Sequence, residues 1–197
     1  IKPYKNEKVI FTGAKRVSGF KKVTDSVITR IQKEYRDKIF TINLKENGIN
    51  DFGEISMRGS AGMEFFFNDK RMTLSRYPNS GWLKIADVPQ EGDSLYNKGL
   101  DREKRYDGVP VGRHYGRIKY DGDRPNGWSK DDNIYMHGYW TWDWSDSYQK
   151  IKSIDCNKKE ITLAEPHHYY GYTKNQRYYF ANILEEIDKP DEWYLDR

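Results

Sequence analysis

The buried surface of this chain has to come from rings. Hydrophobic residues make up only 36% of the sequence and its mean hydropathy is −1.01, yet it carries 16 Tyr, 8 Phe and 6 Trp. A tyrosine ring packs like an apolar group although hydropathy scales count its hydroxyl as polar, so the aromatics supply the area that aliphatics do not. Disordered segments are poor in aromatic and β-branched residues, which argues for a folded chain. At 197 residues, one ordinary domain is the default expectation.

Strand signals recur along the chain, and helical periodicity is scarce. Lys8 to Thr12 and Val17 to Val23 read as short strands. Ile31 to Lys38 is the best early helical turn. Lys38 to Leu44 alternates with period two and sets Phe40, Ile42 and Leu44 on one apolar face. Glu64 to Leu74 holds two strand-like runs around Asn68-Asp69, both tolerant of the positive φ of a primed turn, and predicts a hairpin. Further strands are expected at Trp82–Ala86, Arg113–Tyr120 and Ile134–Trp144. A second hairpin is expected from Gln149–Asp155 and Glu160–Ala164, and helical spacing returns only at Ala181–Asp188. Many short strands joined by loops predict an all-β fold, a barrel or a sandwich-like domain with minor short helices. Residues 87–112 and 121–133 are expected to be long, mobile loops.

The charges exclude some partners. The 34 Lys and Arg are interspersed with 30 Asp and Glu, as in Glu34-Tyr35-Arg36-Asp37-Lys38, so a basic stripe for nucleic acid is missing and the net charge is only +4. No apolar run approaches the ~20 residues that span a bilayer, so no membrane partner is expected. The lone Cys156 reads as a buried, inert thiol.

Chemistry-bearing motifs are few. Tyr135 to Trp144 is the densest aromatic cluster. If extended, it aligns Trp140, Trp142 and Trp144 on one face with His137, Tyr139 and Asp143 at its edge, a platform on which a sugar ring stacks its C–H face. The alternative is that these rings fill the core. A second cluster contains His167, His168 and Tyr169, whose adjacent histidines alternate faces and are poor co-ligands for one metal. Asp121, Asp123 and Asp132 fit a calcium loop only weakly, because Pro125 and Asn126 occupy positions that need an oxygen ligand and a glycine. No Gly-x-Ser-x-Gly elbow, P-loop or dinucleotide fingerprint is present, and no two carboxylates are singled out as a pair. No catalytic residue, metal or cofactor is therefore assigned.

Two stretches carry a family resemblance. Phe67-Asn68-Asp69-Lys70-Arg71-Met72-Thr73-Leu74-Ser75-Arg76-Tyr77-Pro78-Asn79 resembles the F-x-N-G-K-x-M-x-L-A-R-[WY]-P-N run of bacterial right-handed parallel β-helix proteins, glycoside hydrolase family 141-like enzymes being the nearest named group. Arg177-Tyr178-Tyr179, Asn182 to Asp188 and Pro190 to Asp196 resemble the R-Y-Y-x-x-N-x-L-E-E-L-D-x-P-G-E-W-Y-L-D run of the same proteins. Asp69 and Asp191 stand where glycines are usual, and Ser75 where alanine is. The resemblance implies that residues 1–20 begin a β-helix and that 21–197 form a β-rich domain inserted near its start. It further implies an exported bacterial protein that degrades plant or host glycans, secreted or periplasmic/cell-surface, with its catalytic carboxylates on later coils. The implied partner is the β-helix remainder of the same polypeptide. The rival expectations are a stand-alone carbohydrate-binding module and a structural or protein-interaction domain.

Overall fold

The computed structural model describes residues 4–5, 7, 9, 12–24, 26–55, 62–89, 112, 115–129 and 133–197. The strand expected at Lys8–Thr12, most of the loop 87–112, the calcium-loop residue Asp132 and His114 lie wholly or partly outside these residues.

The fold is all-β. In chain order the strands are β1 (Lys21–Lys22), β2 (Phe40–Thr41), β3 (Phe66–Phe67), β4 (Lys70–Arg71), β5 (Thr73–Leu74), β6 (Arg76–Tyr77), β7 (Leu83–Lys84), β8 (Arg117–Lys119), β9 (Tyr135–Tyr139), β10 (Asp146–Asp155), β11 (Glu160–Leu163), β12 (Arg177–Ala181) and β13 (Glu192–Trp193). Seven of them form one antiparallel sheet in the order β6-β12-β9-β10-β11-β8, with β7 also pairing with β12. The sheet curls without closing into a continuous barrel. Among the described residues, its two ends meet through the isolated bridge between Asp87 and Lys119, where Ala86 donates to the Lys119 carbonyl at 2.9 Å.

Strand periodicity builds the core inside that curl. Along β12, Tyr178 and Phe180 point inward while Arg177 and Tyr179 point out; along β9, Met136 and Gly138 are buried while His137 and Tyr139 face outward. Tyr172, Tyr120 and Trp140 join Ile85, Ile118 and Ile161 in one apolar cluster, so rings share the interior with a larger set of aliphatic side chains. A smaller cluster of Ile31, Leu184 and Ile187 receives Ile28, Tyr35 and Ile39, and seats the 3-10 turns Ser26–Arg30 and Lys33–Lys38 against the segment after β12.

Both expected hairpins form. Asn68 and Asp69 take φ of 49° and 59° between β3 and β4, the left-handed pair that a primed turn needs. β10 and β11 pair from Asp155/Glu160 to Ile151/Leu163, with a bulge between Ile151 and Ser153. Other expectations need correction. The alternation at Lys38–Leu44 yields only the two-residue β2, where Phe40 is 56% exposed, because no partner sheet covers that face. The helical spacing at Ala181–Asp188 gives a single 3-10 turn, Leu184–Glu186, since β12 already claims Ala181. Residues 121–129, expected as a mobile loop, contain a 3-10 turn (Arg124–Gly127) pinned from within. Glu186 accepts from both Arg124 (2.7 and 2.9 Å) and the Trp128 indole (2.6 Å). Cys156 is half-buried against the core edge.

One pairing departs from the antiparallel rule. β5 and β13 lie parallel, Thr73 beside Glu192 and Leu74 beside Trp193, with Thr73 N–H donating to the Asp191 carbonyl and Ser75 N–H to that of Trp193, both at 2.7 Å. All seven strands of the large sheet, β6 to β12, therefore lie within the connection between two parallel neighbours.

Candidate functional site

The outward face of the large sheet concentrates the chemistry. Register puts Tyr179 of β12, His137 of β9 and Tyr148 of β10 side by side across three strands. Their rings touch in sequence: His137 to Tyr179 at 5.0 Å and His137 to Tyr148 at 4.6 Å between centroids, while the two phenol oxygens meet at 3.2 Å. Trp82, 41% exposed just ahead of β7, leans on this row, 5.2 Å from Tyr179, 5.6 Å from Tyr139 and 5.9 Å from His137. Two arginines clasp the rings. The Arg76 guanidinium lies 3.7 Å over Tyr179, and that of Arg177 lies 4.0 Å over Tyr139 and 5.7 Å from Trp82.

Polar partners fix this surface. Arg177 donates to Asp143 at 2.5 Å, and His137 Nε2 meets Asp146 Oδ2 at 2.8 Å. Bonding to a carboxylate requires the proton on Nε2, so the neutral ring offers Nδ1 as an acceptor; that atom is buried and has no donor. Burial depresses the imidazole pKa below its ordinary value, with Asp146 opposing and Arg76 reinforcing the shift. Burial likewise pushes the Tyr179 phenol well up, so that it serves as a neutral hydrogen-bonding group. Beside the row, a cleft of about 230 Å³ opens between Tyr148, Tyr179 and Arg76 on one side and Arg71, Leu74 and Trp193 on the other.

The residues singled out in the sequence separate into three places. His137, Tyr139 and Asp143 lie on the outward face. Trp140 does not share it: β9 ends at Tyr139, and the chain then turns inward, sealing Trp140 at 0% exposure with its indole donating to Ser147 O and Oγ at 3.1 and 3.0 Å. Trp142 is half-buried and Trp144 is 68% exposed, so no coplanar row of the three exists. Trp144 and Tyr169 each rest edge-on against Tyr170, at 5.2 Å in both cases, in a smaller aromatic group built by loops. His167 packs on Gly116, where a Cβ would lie 2.2 Å from the imidazole. His168 is buried: its Nδ1 accepts from Tyr170 N–H and its N–H donates to the Tyr172 hydroxyl, which donates to Gln149 at 2.6 Å. With Nδ1 accepting, the proton sits on Nε2 and points to Ser145 at 3.4 Å, the wrong tautomer to activate that hydroxyl. Among the described residues, no group of three or more His, Cys, Asp or Glu is placed to hold a metal.

Trp82, Tyr148, Tyr179, Arg76 and Arg177 went unrecognised in the sequence. They come from β6, the segment before β7, β10 and β12, and the sheet order β6-β12-β9-β10 with β7 beside β12 brings them together. The alternation Arg177/Tyr179 against Tyr178/Phe180 was the one local signal available.

No protein-family model, curated protein or solved structure matches this chain.

Proposed function

We propose that the chain is a non-catalytic β-domain of an exported polysaccharide-degrading protein, and that the outward sheet face meets the glycan. The observation that carries this reading is the exposed Trp82 set among Tyr139, Tyr179 and two ring-stacked arginines. Flat apolar faces bordered by hydrogen-bonding edges match the amphipathic surface of a sugar ring. The wider context rests on the resemblance to β-helix glycan-degrading proteins. The parallel β5–β13 pair supports it, since strands flanking an insertion between successive coils would lie parallel. The seclusion of Trp140 and the engagement of Asp143 by Arg177 and Asp146 by His137 favour contact over catalysis.

Affinity electrophoresis through gels containing xylan, galactan, arabinan, mixed-linkage glucan or mucin tests the reading. At least one polysaccharide should retard the chain, and Trp82→Ala should weaken that retardation about tenfold or more. Trp144→Ala, acting on the loop-built group, separates the two aromatic surfaces. Migration unaffected by every polysaccharide would leave a purely structural domain. Reducing-sugar release by the chain alone would overturn the non-catalytic assignment.

A further inference from the structure

One cation lining the cleft beside the aromatic row has no carboxylate partner among the described residues. Of the three arginines around this surface, Arg71 pairs with Glu64 at 2.5 Å and Arg177 pairs with Asp143 at 2.5 Å. Arg76, which lines the cleft, has no carboxylate among the described residues. It is held by dipoles instead. Nε donates to the Pro78 carbonyl at 2.9 Å, Nη2 to that of Gly81 at 2.7 Å, and the guanidinium plane rests 3.7 Å over Tyr179. Nη1 donates to no described group. A half-buried guanidinium gives up hydration that two carbonyls restore only in part, so its surroundings favour an added negative charge. Its three anchors also fix the planar fork in advance, which lowers the cost of engaging a carboxylate or sulfate.

The nearby acids do not fill this role. Glu64, which also lines the cleft, is engaged there by Arg71, Asp143 serves Arg177, and Asp146 is bonded to His137. The rest of the cleft suits a sugar: Leu74, Ala181 and Trp193 line it with apolar surface, and the paired hydroxyls of Tyr148 and Tyr179 lie in its wall. At about 230 Å³ it is smaller than the usual span of ~300–1,000 Å³ for ligand pockets, a size for one ring of a longer chain.

We infer that this cleft selects a sugar carrying an anionic substituent, a carboxylate or a sulfate, with Arg76 as its charge partner. The inference rests on the glycan-contact reading and assigns that contact to acidic glycans. Isothermal titration of the whole chain with a galacturonate oligosaccharide, its methyl ester, a sulfated galactan oligosaccharide and a neutral galactan oligosaccharide tests it. The acid or the sulfate should bind at least about tenfold tighter than the ester and the neutral sugar. Which of the two is tighter identifies the substituent. Arg76→Gln, checked for folding by near-ultraviolet circular dichroism, should abolish the preference; if it fails to fold, the acid-to-ester ratio of the unaltered chain decides. Equal binding of acid, sulfate and ester overturns the inference, as does a preference that survives in folded Arg76→Gln. Binding of neutral sugars alone overturns it while leaving glycan contact standing, whereas binding of no sugar by the folded chain overturns both.

Discussion

At Asn182 the backbone takes a φ of 60°, and the side chain does the work of a strand rung. From a side chain at 0% exposure, Oδ1 accepts from Leu195 N–H at 2.9 Å, and Nδ2 donates to the Leu195 carbonyl at 3.0 Å and to that of Asn133 at 2.9 Å. Asparagine tolerates the left-handed region, and its planar amide offers two N–H donors and a carbonyl acceptor at once. Asn182→Ala should cost about 3–4 kcal/mol in urea unfolding, because it orphans buried backbone groups and keeps an unfavourable φ. Asn182→Gly, which relieves only the φ, should recover a minor part. Ser75 acts beside it: its Oγ accepts from Ile183 N–H at 2.9 Å, a buried bond that an alanine there could not make. Asp69 and Asp191 adopt φ of 59° and 70°, conformations that glycine adopts without strain. Asp69→Gly should accordingly raise the unfolding midpoint, by about 0.5 kcal/mol, since the Asn-Gly turn is the preferred one.

Among the elements, those set by adjacent residues were legible and those set by distant partners were not. The β3–β4 turn follows from Asn68-Asp69 alone, and the β10–β11 hairpin from two apolar alternations around Asn157-Lys158-Lys159. The bulge at Ile151/Ser153 left no mark in the sequence, because an extra residue does not disturb composition. β2 was overestimated because alternation reports a potential face and says nothing of what would cover it. Trp140 follows the core alternative and not the platform: a run of aromatics reads as a continuing strand, whereas the chain leaves β9 at Tyr139 and folds the next ring inward. The candidate face was legible only in His137, Tyr139 and Asp143. Its remaining members come from β6, β7, β10 and β12, whose order depends on long-range pairing.

For the molecule as a whole, His137 ties stability to acidity. Its imidazole pKa is depressed, chiefly by burial, from the ordinary 6.5, so the unfolded chain binds a proton more readily than the folded one. The stability associated with the neutral ring is therefore complete above about pH 6.5 and shrinks as pH falls from there toward the lower folded value. Thermal unfolding followed between about pH 7.5 and 5.5 should show a falling midpoint, and His137→Gln should flatten that slope. Glu192 contributes with the opposite sign: burial raises its carboxyl above 4.5, so its protonation on acidification favours the folded chain. An unchanged slope in His137→Gln would assign the acid sensitivity elsewhere.

The parallel pairing of β5 with β13 has a consequence for engineering. Because Thr73 and Glu192 are direct neighbours, only about 4.8 Å of strand spacing separates the place where the chain departs into the large sheet from the place where it returns. A segment whose ends are that close is portable: it can be excised and bridged by a short linker, or grafted into another host at adjacent parallel strands, with little loop-closure penalty. The smaller cluster of Ile31, Leu184 and Ile187 sets the terms of such a transplant, since a graft that leaves residues 26–39 behind would expose the apolar side of the returning chain.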